Sequence, residues 1–305
     1  MKGIKIGNSA PNWQTSKYSS IFKTPEDEAE YMAAYEAVLA LWPVPYESFD
    51  VPTRFGKTHV IASGPKEAMP LVLLHATSAS ATMWFPNIAD MSRDYRTYAL
   101  DTIGEPGKSV VSKPPQKRSD YALWLTDVFD GLNVTQADVV GASYGGWVTM
   151  NLALYATERV KKIALLSPPA AFVPFNKMFL LRLVPSMLFP MRFFIKNSIR
   201  PLFVNRPNEI YFEQLALAAK CKFQDVFPTE FTDDELRHLK IPALLLVGEK
   251  EVIFSARKAI DRAKLLIPDV HTEMIPEAGH MLSMDQPEMV NYRILRFMKK
   301  WDEQG

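Results

Sequence analysis

Asp138-Val139-Val140-Gly141-Ala142-Ser143-Tyr144-Gly145-Gly146-Trp147-Val148-Thr149-Met150 carries two structural signals joined by one chemical one. Its opening is a short apolar run, as expected for a strand buried on both faces. Its close reads as a helix. Between them Gly141, Ser143 and Gly145 stand in the spacing G-x-S-x-G, which lets a strand turn sharply into a helix and lift a serine above the sheet edge. Five residues alone make a weak match, because a glycine-rich turn with an incidental serine gives the same string. The surrounding chain has to supply the context.

Working outward, similar apolar runs lie at 71–74, 97–100, 163–166 and 243–247, with a last one at 272–275. Helical patterns lie at 82–94, 120–132, 146–156, 255–266 and 287–301. Strands alternating with helices predict a mostly parallel sheet with helices on both faces. Upstream, 46–53 and 58–63 read as two antiparallel strands joined at Phe55-Gly56-Lys57, for a total of eight strands. Before them, Thr24-Pro25-Glu26-Asp27 has the form of a helix start with a capping box, and the helix is expected to reach Trp42 before Pro43-Val44-Pro45. After Ser167 the alternation stops until 243. A structureless loop of that length is improbable inside a compact fold, so an insert rich in Phe, Leu, Met and Pro predicts a helical cap. The expected organisation is an N-terminal helical extension over 1–45, an α/β core over 46–168 and 241–305, and the cap over 169–240.

Composition narrows the function classes. The 305 residues include 35 basic and 34 acidic ones, a net charge of +1, with no basic cluster to suggest a nucleic-acid partner. The single cysteine, Cys221, excludes an intramolecular disulfide and fits a reducing compartment. Residues 1–13 lack the apolar core of a signal peptide. The most apolar stretch, 178–195, is cut by Arg182, Pro185, Pro190 and Arg192, so no membrane span is expected. These features predict a cytoplasmic enzyme.

A serine hydroxyl is inert near neutral pH without an adjacent base. Five histidines are available: His59, His75, His238, His271 and His280. His280, in Ala278-Gly279-His280, follows the last predicted strand, where loops reach the carboxyl edge of an open sheet. His271 begins that strand and reads as a surface residue, His238 as a solvated linker residue, and His59 and His75 as structural. The third group should follow the strand 243–247, at Val247-Gly248-Glu249-Lys250-Glu251. Position favours Glu251, three residues after Gly248, with Glu249 as its rival and Asp285 behind both. An oxyanion hole is expected from the backbone N–H of Tyr144 and, in the loop His75-Ala76-Thr77-Ser78, from that of Thr77. No two histidines have metal-ligand spacing, so no metal is expected.

Taken together, Leu73-Leu74-His75, Asp101 with Gly104 and Ser109, Gly141 to Gly145, Gly248 to Glu251 and Gly279-His280 resemble the α/β-hydrolase superfamily along nearly the whole chain. Further segments resemble bacterial carboxylesterases of the NP (naproxen esterase) type: Leu41-Trp42-Pro43, Thr53-Arg54-Phe55-Gly56-Lys57-Thr58-His59-Val60-Ile61-Ala62-Ser63-Gly64-Pro65, Thr82-Met83-Trp84, Pro86-Asn87-Ile88-Ala89-Asp90 and Gly248-Glu249-Lys250-Glu251-Val252-Ile253. The resemblance implies an α/β-hydrolase fold, cofactor-free hydrolysis of carboxylic esters, including bulky aryl-propionate esters, and a glutamate as triad acid, which supports Glu251. Two features depart from the superfamily pattern. Ala76 stands where glycine is usual, and the loop 101–109 is one residue longer than D-x-x-G-x-G-x-S.

The substrate pocket is expected to involve Ala76, Phe172, Met178 and Met281. Residues 172–206 carry six basic side chains and no acidic one among many Phe, Leu and Met. Three readings stand open for this segment: an apolar lid over an acyl pocket, a peripheral membrane-contact surface, or ordinary packing on the core. Homodimerisation also stays open. Among functions, a small ester is the expected substrate. A thioesterase or lactonase would use the same groups, and a ligand-binding protein could use the scaffold without turnover. A haloalkane dehalogenase or epoxide hydrolase would need Asp in place of Ser143.

Overall fold

The computed structural model describes residues 21–189, 191–223 and 226–300. The N-terminal stretch read against a signal peptide, the first twenty residues of the expected extension, Pro190 and the expected helix end at Trp301 lie outside those residues.

Among the described residues nine strands form one sheet. They are β1 (Tyr46–Thr53), β2 (Gly56–Ser63), β3 (Met69–Leu74), β4 (Tyr95–Leu100), β5 (Val110–Val111), β6 (Ala137–Ala142), β7 (Val160–Leu166), β8 (Ala243–Gly248) and β9 (Val270–Ile275). The order is β1-β2-β4-β3-β6-β7-β8-β9, with β5 pairing β2 off that path. The expected eight strands are therefore nine, because Val110 and Val111 form a ladder too short to leave a sequence pattern. Along this order the pairings from β4 through β3, β6, β7 and β8 to β9 are parallel, while β2 pairs β1, β4 and β5 antiparallel. The chain goes from β3 to one neighbour, β4, and then crosses to the other, β6. That reversal opens a crevice beyond the carboxyl ends of β3 and β6, where open α/β sheets place their sites.

The helices are α1 (Pro25–Leu39), α2 (Ile88–Asp94), α3 (Arg118–Gly131), α4 (Tyr144–Tyr155), α5 (Lys177–Leu188), α6 (Arg192–Ile199), α7 (Glu209–Ala218), α8 (Asp233–His238), α9 (Ala256–Leu266), α10 (Leu282–Asp285) and α11 (Pro287–Lys300). Alternate strand residues enter two separate cores. Val72, Leu74, Val139, Leu165 and Leu245 pack with Trp124, Phe129 and Trp147 on the face covered by α3, α4 and α9. Leu71, Leu73, Val140, Leu166 and Leu246 pack with Tyr31, Tyr35, Met91 and Ile294 on the face covered by α1, α2 and α11. Both faces are sealed, which is why the strands read as continuous apolar runs.

Three expected boundaries shift. Helix α1 stops at Leu39, not Trp42, and only half of its capping box forms, the Asp27 N–H donating to Thr24 Oγ1 at 3.1 Å. The single helix expected over 82–94 is a 3-10 turn, Ala81–Trp84, followed by α2. Pro86 lies between them and lacks the N–H that would carry an unbroken ladder. The turn into α4 is tighter than expected, so that the helix already begins at Tyr144. Among the described residues no helix is long and apolar enough to cross a membrane.

Candidate active site

Ser143 joins β6 to α4 with φ 50° and ψ −117°, a left-handed conformation rare for a residue with a side chain. The flanking glycines make this turn sterically feasible. A Cβ on Gly141 would stand 2.3 Å from the Gly145 carbonyl oxygen, and one on Gly145 would stand 2.3 Å from that of Leu74. The turn is tied on both sides. The Ser143 N–H donates to Leu166 O at 2.7 Å, and the Gly145 N–H to His75 O at 3.1 Å.

The side chains of Ser143, His280 and Glu251 meet at the carboxyl edge of the sheet. His280 Nε2 lies 2.8 Å from Ser143 Oγ, and His280 Nδ1 lies 2.8 Å from Glu251 Oε2. An ionised carboxylate only accepts, so the proton between them sits on Nδ1 and Nε2 presents a lone pair to the serine hydroxyl. The other carboxylate oxygen, Glu251 Oε1, accepts the Ile253 N–H at 2.8 Å. The Glu251 side chain has no exposed surface, and Ser143 and His280 are 7% and 3% exposed. This arrangement can transfer a proton from a nucleophile to a base while a fixed negative charge stabilises the base.

The rival acids take other partners. Glu249 accepts the Glu277 N–H at 3.1 Å. Asp285 accepts the backbone N–H groups of Gly279, Val204 and Asn205 at 2.8, 3.0 and 3.0 Å, clipping the histidine loop to the middle of the insert. The remaining histidines take other partners. His59 bridges Ser48 and Asp50 on the hairpin. His238 bonds Asp234 O, and His271 is exposed beside Phe297. His75 is fully buried. Its Nε2 accepts the Thr102 N–H at 2.9 Å, so Nδ1 carries the proton that bonds Ala76 O at 2.8 Å. Desolvation pushes its pKa down, against the smaller upward effects of Asp101 and Ala76 O, which keeps the ring neutral.

Among the expected oxyanion donors, Tyr144 opens α4, so its N–H lies outside that helix's own ladder. In the loop after β3, the Ala76 N–H is taken by Met83 Sδ at 3.3 Å and the Ser78 N–H by Glu105 Oε2 at 2.9 Å. Between them, the Thr77 N–H has no acceptor among the described residues. Of the expected pocket residues, Ala76, Phe172 and Met281 are buried, Met281 adjoining His280 in sequence. Met178 is 71% exposed on the first turn of α5, in solvent and not gathered at the triad. The sequence reading missed Glu105 as a partner of the oxyanion loop. Its one signal was the extra residue in 101–109.

A sheet of this order, with a serine on its strand-to-helix turn, defines a class. The chain belongs to the alpha/beta hydrolase family, whose pattern matches residues 71–291. Within that family it is similar to the uncharacterized carboxylesterase nap of Bacillus subtilis (strain 168), with 45% identity over 288 residues, 92% of this chain and 95% of that protein. It is also similar to carboxylesterase YbfK of the same strain, with 38% identity over 91% of this chain and 96% of that one. The crystal structure of naproxen esterase (carboxylesterase NP) from Bacillus subtilis superposes with a TM-score of 0.85 at 42% identity, covering 91% of this chain and 100% of that one.

Proposed function

We propose that the chain is a serine carboxylic-ester hydrolase that works through Ser143, His280 and Glu251 and an acyl-enzyme. The observation that carries this reading is the unbroken pair of 2.8 Å contacts from Ser143 Oγ through the imidazole to Glu251. His280 Nε2 takes the hydroxyl proton as Ser143 Oγ attacks the ester carbonyl carbon. The resulting oxyanion is met by the N–H groups of Thr77 and Tyr144. His280 then passes the proton to the departing alkoxide, leaving an acyl group on Ser143. Water, deprotonated by the same nitrogen, adds to that acyl carbon, and collapse returns the proton to Ser143 and releases the acid. Glu251 stays ionised throughout and stabilises the imidazolium.

The preferred substrates in this proposal are small to medium apolar or aryl esters. Ala76, Phe172 and Met281 are buried apolar residues, and the relatives' names point to the same chemistry. The insert that carries α5 and α6 is the segment proposed to cover the acyl group; its Met187, Phe189 and Phe193 are each more than half exposed, as Met178 is. A series of p-nitrophenyl esters of rising acyl length, run beside an aryl-propionate ester, tests this. Turnover should be highest for the apolar mid-length and aryl acyl groups and should disappear in Ser143→Ala. Full turnover in that variant contradicts the proposal.

A further inference from the structure

The long loop 101–109 plays no part in the chemistry above, yet three of its residues hold the oxyanion loop and the turn after it through four hydrogen bonds. The Thr102 N–H donates to the His75 ring. Glu105 accepts the Thr77 hydroxyl on Oε1 at 2.7 Å and the Ser78 N–H on Oε2 at 2.9 Å. Asp101 accepts the Ala81 N–H at 2.7 Å. Glu105 is 1% exposed. A carboxylate buried to this degree costs stability, and an apolar residue of similar size would cost less. Two of its acceptor bonds fall on the residue whose N–H has no acceptor among the described residues and on the residue after it. Ser78 is also held at φ 63°, a left-handed conformation that a serine does not favour. The peptide that carries the Thr77 N–H is held on its other side, its Ala76 carbonyl accepting from His75 Nδ1 at 2.8 Å and the Ala79 N–H at 3.1 Å, so Glu105 adds the restraint on the Thr77 side chain and on the peptide that follows.

We propose that Glu105 is a positioning residue for the oxyanion hole, locking the Thr77–Ser78 segment so that the Thr77 N–H stays directed at the oxyanion formed on the substrate. The inference rests on the serine-hydrolase reading and adds to it a residue that never touches substrate. A backbone donor cannot be deleted by substitution, so its anchor is the available handle. Glutamine has one acceptor oxygen. In Glu105→Gln that oxygen can take the Ser78 N–H, while the amide donates to a rotated Thr77 hydroxyl, preserving both links. Glu105→Ala preserves neither.

The test measures kcat and KM on p-nitrophenyl butyrate, the inhibition constant of an aryl trifluoromethyl ketone, and melting temperature. The ketone forms a reversible adduct in which Ser143 Oγ bonds the carbonyl carbon, the serine proton passes to His280, and the ketone oxygen becomes the oxyanion. In Glu105→Ala, kcat should fall about 30- to 300-fold, near the loss of a whole oxyanion donor, with the ketone weakened by a similar factor and KM changed less than about threefold. Glu105→Gln should stay within about tenfold of the parent on both readouts. A purely structural role would lower the melting temperature while leaving kcat and ketone affinity intact below the transition, and that result overturns the inference. Should Glu105→Ala not fold, Thr77→Val removes the hydroxyl link alone. A parallel fall of about three- to tenfold in kcat and ketone affinity supports the inference, and unchanged values overturn it. Fluorophosphonate labelling of the unsubstituted protein separates the two claims. If Ser143 is labelled and the variants behave like the parent, only the role of Glu105 fails. If Ser143 is not labelled, the hydrolase reading fails and this inference with it.

Discussion

Replacing Glu251 with Gln changes the shape of the side chain little and removes one charge and one acceptor from the centre of the site. The carboxylate receives two donors, the His280 ring at 2.8 Å and the Ile253 N–H at 2.8 Å. An amide has one acceptor oxygen. If that oxygen keeps the Ile253 N–H, the amide NH₂ faces His280 and forces the tautomer whose Nε2 already carries a proton, which cannot deprotonate Ser143. If it instead keeps His280, the base survives, but the imidazolium loses its counter-charge. With an effective dielectric of 20, a unit charge pair at this separation is worth about 6 kcal/mol, an upper bound because both charges are delocalised. A tenfold rate change corresponds to about 1.4 kcal/mol, so either outcome should lower kcat by roughly 10³- to 10⁴-fold. The assay is steady-state hydrolysis of p-nitrophenyl butyrate with enzyme concentration set by active-site titration, at a temperature well below unfolding. Glu249→Gln serves as the control. Among the described residues its side chain bonds the Glu277 N–H alone, and its kcat should stay within about twofold of the parent. A Glu251→Gln enzyme within tenfold of the parent, or a larger loss in the Glu249 variant, refutes the assignment of the acid.

Other consequences concern the scaffold. Asp285→Ala leaves the N–H groups of Gly279, Val204 and Asn205 without their acceptor and should lower unfolding free energy in urea by about 3 kcal/mol; a loss below about 0.5 kcal/mol would show the clip to be idle. Burial, with Glu105 and Asp27 nearby, pushes the Cys221 thiol up to about 12. Cys221 should therefore resist iodoacetamide at pH 8 in the folded protein and react once unfolded, which a mass measurement resolves. Glu235 is drawn in two directions: burial raises its pKa, but the Thr232 N–H and the Arg118 guanidinium outweigh that and hold it below the usual carboxylate range. Its contribution is thus present above the unfolded value of about 4.3 and is lost as pH falls through the folded value. Glu235→Gln should cost about 1 kcal/mol at pH 7, in a difference that shrinks on acidification; a pH-independent difference contradicts the ion pair.

Much of the fold is legible because burial on both faces writes itself into the strands as apolar runs, and because a sharp strand-to-helix turn at Ser143 needs small residues where Gly141 and Gly145 stand. The order of Ser143, Glu251 and His280 follows from the same edge of the same sheet. What sequence could not supply is long-range or very short. β5 is two residues, below any periodic signal. The break before α2 needed the local geometry at Pro86, whose weight against a helical pattern is not fixed by sequence alone. Asp285 read as a spare acid because its partners at Val204 and Asn205 lie some eighty residues upstream, joined only by the folded chain. Glu105 carried a length anomaly and no hint of its partners. Met178 was expected in the pocket from its apolar setting, and α5 instead turns it into solvent.

A fluorophosphonate forms a stable bond with an activated serine oxygen, and peptide mass mapping locates that bond. One adduct per chain is expected, on the peptide bearing Ser143, absent in Ser143→Ala and at least about a hundredfold slower to form in His280→Ala. An adduct elsewhere, or labelling at Ser143 that proceeds at the same rate without the imidazole, would contradict the claim that these side chains act as one catalytic unit.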